Sequence, residues 1–110
     1  MDRILNLLGI AKKAGKLAIG SEAAAQAVQA GSAALVITAS DASDGSKRRA
    51  KANTGENRVE YLSVPYTKFE LGNITGRGSP GTVAILDKGL ANSFSEKLKL
   101  AQSAKESDAL

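Results

Sequence analysis

Two uninterrupted apolar runs constrain this chain more than anything else in it. Ala34 to Ala39 (Ala-Leu-Val-Ile-Thr-Ala) and Thr82 to Leu86 (Thr-Val-Ala-Ile-Leu) have the length of strands but lack a strict apolar–polar alternation. A strand with one wet face alternates; one that does not alternate has to be covered on both sides. Ala34 to Ala39 therefore reads as the central strand of a sheet, and Thr82 to Leu86 as a second buried strand. Both require helices above and below.

Helical patterning elsewhere supplies that cover. Ile4, Leu5, Leu7, Leu8 and Ala11 recur at helical spacing after Asp2, which can cap the helix, and Gly15 marks its stop. A second helix is expected from about Glu22 to Ala30, ended by Gly31. Its inner side is small (Ala23, Ala24, Ala27, Val28), so it can lie close on a sheet, and alanine is the best helix former. Asp44 to about Thr54 is basic and poor in large apolar residues, and reads as a marginal surface helix. Gly45, Asn53, Thr54 and Gly55 loosen its ends. Thr67-Lys68-Phe69-Glu70 matches a capping box and starts a short helix that Gly72 and Asn73 weaken. Asp87 caps a last helix with Leu90, Ala91, Phe94 and Leu98 inward. A short edge strand at Leu17 to Ile19 and a longer strand at Val59 to Leu62, closed by Val64-Pro65, complete the sheet. Helices alternating with at most four strands predict an α/β fold, a three-layer α-β-α sandwich. One domain over residues 1–100 is expected, with 101–110 as a polar tail that frays from about Gln102.

Composition narrows the chemistry. The chain has 110 residues, no cysteine and no histidine, so disulfides, zinc knuckles and histidine-based catalysis are excluded. No run approaches the ~20 apolar residues of a membrane span, and the start carries no signal-peptide pattern. The expectation is a cytoplasmic protein with no membrane partner, no small-molecule substrate, no cofactor and no enzymatic activity. A net charge of +4 favours an anionic partner. The positive charge falls in two segments: Arg3, Lys12, Lys13 and Lys16, then Lys47, Arg48, Arg49, Lys51 and Arg58.

Between them lies the candidate site. Lys12, Lys13 and Lys16 lead into Gly20-Ser21, where a helix should start. Ser21 reads as its N-cap, and the free N–H groups of the first turn, with the helix dipole, form an anion site. Glu22 suits the positive helix end, or accepts hydrogen bonds from a base edge; Gln26 lies one turn on, on the same face. Gly76-Arg77-Gly78-Ser79-Pro80-Gly81 is the chain's strongest loop signal. It leads from a helix into a strand and lacks the Lys-Ser or Lys-Thr of a Walker loop, so it is not a nucleotide cradle. It is either a flexible connector or a surface that meets RNA, with Arg77 beside a phosphate. The Lys47–Lys51 cluster is either a solvated helix face or an unspecific phosphate contact. The aromatics Tyr61, Tyr66, Phe69 and Phe94 fall at expected core positions and form no stacking ladder.

The order of these parts resembles the kink-turn-binding ribosomal protein family, the L7Ae family, and within it the bacterial YlxQ-like branch. The residues that carry the likeness are Leu7 to Leu17, Gly20 to Gly31, Ala34 to Asp41, Glu70-Leu71-Gly72 and Val83-Ala84-Ile85. The resemblance implies an L30e-like sandwich around a four-stranded mixed sheet. It implies structured RNA as partner, ribosomal or other kink-turn-containing, with the second helix's N-terminus beside the tandem sheared G·A pairs of a kink-turn. Carried onto this chain, Gly20, Ser21, Glu22 and Gln26 meet those pairs, and Lys13 and Lys16 flank phosphates. Arg77, Gly78, Ser79 and Pro80 cover an extruded base, with Leu71 and Ile74 as apolar neighbours. The chain departs from the strong binders, which carry Asn-Glu after the glycine and a lysine one turn later; here Glu22-Ala23 and Gln26 stand in those places. The expected function is non-enzymatic, ribosome-associated RNA binding. The alternative is a protein-interaction module of the same fold that has lost specific RNA recognition.

Overall fold

The computed structural model describes residues 2–108, with side chains through residue 103. Among these residues the order is α1 (Arg3–Lys13), β1 (Leu17–Ile19), α2 (Ser21–Gln29), β2 (Leu35–Thr38), α3 (Asp44–Glu56), β3 (Glu60–Ser63), α4 (Lys68–Thr75), β4 (Thr82–Ile85) and α5 (Lys88–Asp108). The strands form one sheet in the order β1-β4-β2-β3. β4 is antiparallel to both β1 and β2, and β2 is parallel to β3, so the sheet is mixed.

Register explains how two helical layers are served. Ala18, Ala84, Val36 and Tyr61 form one row across the sheet, and Ile19, Val83, Ile37 and Leu62 the next. Successive rows point to opposite faces. The first row packs with Ala24 and Val28 of α2 and Ala50 of α3. Leu35, Ile37, Val83 and Ile85 pack instead with Leu8 of α1, Leu71 of α4 and Phe94 and Leu98 of α5. β2 and β4 are buried along their whole length, as expected of runs without alternation. α2 reaches the sheet through Ala24, Ala27 and Val28, whose small side chains allow the close approach.

Caps define most of the ends. The Asp2 carboxylate accepts from the amides of Ile4 and Leu5. Thr67 and Glu70 close the reciprocal capping box at the start of α4, and the Asp87 carboxylate accepts from the Leu90 amide. Two expectations need correction. α3 runs through Asn53, Thr54 and Gly55 to Glu56, because Thr54 is buried and its hydroxyl bonds the carbonyls of Ala50 and Lys51. α4 outlasts Gly72 and Asn73 and ends at Thr75, where Gly76 (φ 70°) provides a left-handed cap. α5 runs from Lys88 to Asp108 and takes in most of the polar stretch after Gln102; positions 109 and 110 lie outside the described residues.

Candidate functional site

The sheet presents one busy end. β1, β2 and β3 all finish there and β4 begins there, since Ile19 pairs with Val83 and Thr38 pairs with both Thr82 and Ser63. The loops are stitched across this end by backbone bonds. Gly20 N donates to Thr82 O (2.9 Å), Ala39 N to Gly81 O (2.9 Å), Val64 N to Thr38 O (3.0 Å) and Ser40 N to Tyr66 O (2.8 Å). α2, α3 and α4 all start from these loops. In open α/β sheets, crevices at the carboxyl ends of strands are the usual place for a ligand.

The start of α2 differs from the sequence expectation. The N-cap is Gly20 (φ 106°, ψ 156°), not Ser21, and no side chain caps the helix. Ser21 is instead the first helical residue, and its hydroxyl makes a long 3.4 Å contact to Thr82 Oγ1. The positive φ is open to glycine and disfavours other residues, so the chain turns sharply from β1 into the helix. The first intrahelical bond is Ala24 N to Gly20 O. The amides of Ser21, Glu22 and Ala23 are thus the orphan donors of this helix. The other four helices each hold a side-chain acceptor at their start: Asp2, Ser43, Thr67 and Asp87. Glu22 and Gln26 are both exposed, one turn apart.

The glycine-rich loop reaches the same end. From Gly76 it doubles back along α4, and Gly81 joins Thr82 next to Gly20. Its path depends on Gly72: a Cβ there would run into the Gly78 carbonyl oxygen and come within 3.0 Å of its carbon. Gly72, which the sequence marks as a helix weakener, is the seat of the loop. Arg77, Gly78 and Ser79 are exposed and Pro80 half-buried. The structure therefore brings Gly20, Ser21, Glu22 and the loop's return to Gly81 together through Thr82.

Other expected residues lie elsewhere. Leu71 is fully buried in the core, and Ile74 packs toward Gly9 of α1. Leu71 supports α4 from within, whereas Ile74 is half-buried and keeps part of its side chain at the surface. Lys13 and Lys16 are exposed, but Lys16 O accepts from Leu86 N at the opposite end of the sheet. Lys16 therefore stands a strand's length, about 13 Å, from Gly20. Lys12 Nζ lies against Gly76, 2.7 Å from where a Cβ would sit, at the root of the loop.

Three residues at the busy end were missed by sequence reasoning. Lys68 runs its stem past Gly81, with Cδ 3.7 Å from a Cβ there. It stands inside the capping box, a signal read only as a helix start. The Asp41 carboxylate accepts from the Lys68 amide at 2.8 Å, tying the loop after β2 to α4. Phe69, expected in the core, is 69% exposed.

The model of the Ribosomal protein L7Ae/L30e/S12e/Gadd45 family matches residues 2–95. The chain belongs to this family. Among its relatives, the RNA-binding protein YlxQ of Enterococcus faecium is 32% identical over 101 residues, covering 89% of this chain and 93% of the relative. The RNA-binding protein YlxQ of Bacillus subtilis is 31% identical over 90 residues, covering 78% and 85%. Among solved structures, a Bacillus halodurans protein of unknown function superposes with a TM-score of 0.83 at 27% identity, covering 90% of this chain and 99% of its own. The Giardia lamblia 15.5kD RNA binding protein superposes at 0.73 with 21% identity over 87% and 84%, a likeness of fold. The L7Ae/L30e assignment agrees with the observed five helices and mixed four-stranded sheet.

Proposed function

We propose that this chain binds structured RNA, using the uncapped start of α2 and the glycine-rich loop as one surface. The observation that carries the reading is their junction: Gly20 and the loop's last residues meet at Thr82, and the amides of Ser21, Glu22 and Ala23 have no capping side chain. Backbone donors at a helix start suit an anion or a base edge. Lys12 at the loop's root, Arg77 within it and Lys68 beside its end supply positive charge. The two relatives named RNA-binding protein YlxQ support the same reading.

The finer version is a kink-turn, with Glu22 and Gln26 on its groove and the loop over an extruded base. A ribosomal RNA in the cytoplasm is the target we favour, given the family's name. The role is binding without turnover, since the chain has neither histidine nor cysteine to act as base or nucleophile. Fluorescence anisotropy with a kink-turn RNA and a straight duplex of equal length tests this. Preference for the kink-turn supports it. Equal, weak binding to both removes the kink-turn claim and favours the protein-interaction alternative.

A further inference from the structure

The basic cluster of α3 divides by helical spacing into two faces. Asp44, Lys47, Arg48 and Lys51 line a groove of about 500 Å³ together with Tyr61 and Ser63 of β3. Arg49 turns the other way, into the cleft between α2 and α3. Three cations thus converge on one groove against a single carboxylate, and none of the three forms an ion pair among the described residues. Lys47 and Lys51, four residues apart, and Arg48 and Lys51, three apart, repel one another. The folded state offers little in return: Thr54 is the one buried residue of this thirteen-residue helix.

The groove is otherwise well defined. The Tyr61 hydroxyl shares a 2.6 Å hydrogen bond with Thr38 Oγ1, which holds the ring as a wall. Glu60, on the neighbouring position of β3, is turned to the opposite face and bonded by Ser95 and Lys99, so its charge stays out. Lys47 Nζ donates to Ser40 O at 3.0 Å, placing the groove's upper end at the loop after β2. That loop is bonded to Gly81 through Ala39. From β1, which leads into α2, to β3 is three strand spacings, about 14 Å.

We propose that this groove is a second contact surface for the same RNA, holding the phosphate backbone of an arm that leaves the α2–loop site. The inference rests on the RNA reading above, and adds a surface separate from the one that recognises the fold of the RNA. Cations on a phosphate backbone add affinity and salt dependence but no sequence information. The groove therefore sets strength, and the α2–loop surface sets preference.

The test compares the wild type with Lys47→Gln/Arg48→Gln/Lys51→Gln, and with Arg48→Gln/Lys51→Gln, which leaves the Ser40 bond intact. The probes are a kink-turn RNA with long helical arms and the same RNA trimmed to the motif. With long arms, the slope of log affinity against log salt should fall by about 0.9 per cation removed, nearly three units for the triple variant. The preference for kink-turn over duplex should stay unchanged, and trimming the arms should abolish the difference between wild type and variants. An unaltered slope with the armed RNA overturns the groove proposal and leaves the α2–loop reading standing. Wild-type protein that binds neither RNA overturns both. Should poly-L-glutamate bind and the variants lose it while RNA affinity holds, the groove belongs to an acidic protein segment and the proposal falls.

Discussion

A glycine in the middle of α4 and a glycine near the end of α3 answer the same substitution with opposite signs. At Gly72 an added methyl meets the Gly78 backbone, whereas at Gly55 nothing lies within 4 Å. Gly55→Ala should stabilise the protein by about 0.5–1 kcal/mol, because alanine is the better helix residue. Gly72→Ala gains the same propensity but has to push the loop away, a strain of about 1–3 kcal/mol. Urea unfolding should show the first variant more stable and the second less, and only the second should lose RNA affinity. Position 26 offers a gain rather than a loss. Gln26 is exposed, and the family resemblance implies a lysine at this place in strong binders; on the proposed kink-turn reading, Gln26→Lys should tighten kink-turn binding by about 1–3 kcal/mol without tightening duplex binding equally. At this scale the sequence was legible where one residue type has one use. Asp2, Thr67-Glu70 and Asp87 cap as their types and spacing predict. Ser21 misled because Gly-Ser at a helix start offers two candidate caps, and only the backbone angle at Gly20 decides between them. Leu71 and Phe69 exchanged expected roles, buried and exposed respectively, because the short α4 has little pattern from which to read its inward side.

Elements were read well where they carry their own pattern. α1, α2 and β2 followed from spacing and from the unbroken apolar run. α3 was read short because Asn53, Thr54 and Gly55 are weak helix formers, and a tertiary contact, the burial of Thr54, overrides that weakness. The α1 cap has a pH signature. Burial raises the Asp2 pKa, but the amides of Leu5 and Ile4 and the neighbouring Tyr66 hydroxyl outweigh it and leave the value below 3.8. A depressed folded value means the cap's contribution is complete above pH 3.8 and fades as pH falls through the folded value. Tyr66 shifts the other way: burial, then the neighbouring Asp2 carboxylate, raises its pKa above 10.0. Its contribution is complete below pH 10.0 and fades as pH rises beyond it. Asp2→Ala should lower stability near neutral pH by about 0.5–2 kcal/mol, with the difference from wild type shrinking in acid. Thermal unfolding across the acid range measures both.

At the scale of the molecule, the three layers were legible but the joining of the site was not. Four strands and helical cover follow from sequence patterns, whereas the order β1-β4-β2-β3 rests on pairings distant in sequence, such as Ala18 with Ala84. That order sets the glycine-rich loop beside the start of α2 and sends Lys16 to the far end of the sheet. The central claim is that the uncapped start of α2 and this loop form one RNA-binding surface. Amide NMR spectra of the protein, titrated with a kink-turn RNA, test it most directly. The largest shifts should fall at Gly20 to Gln26 and at Arg77, Gly78, Ser79 and Gly81, moving together with one affinity. Shifts gathered on α5 or the outer face of α1, with those two segments unmoved, would contradict it.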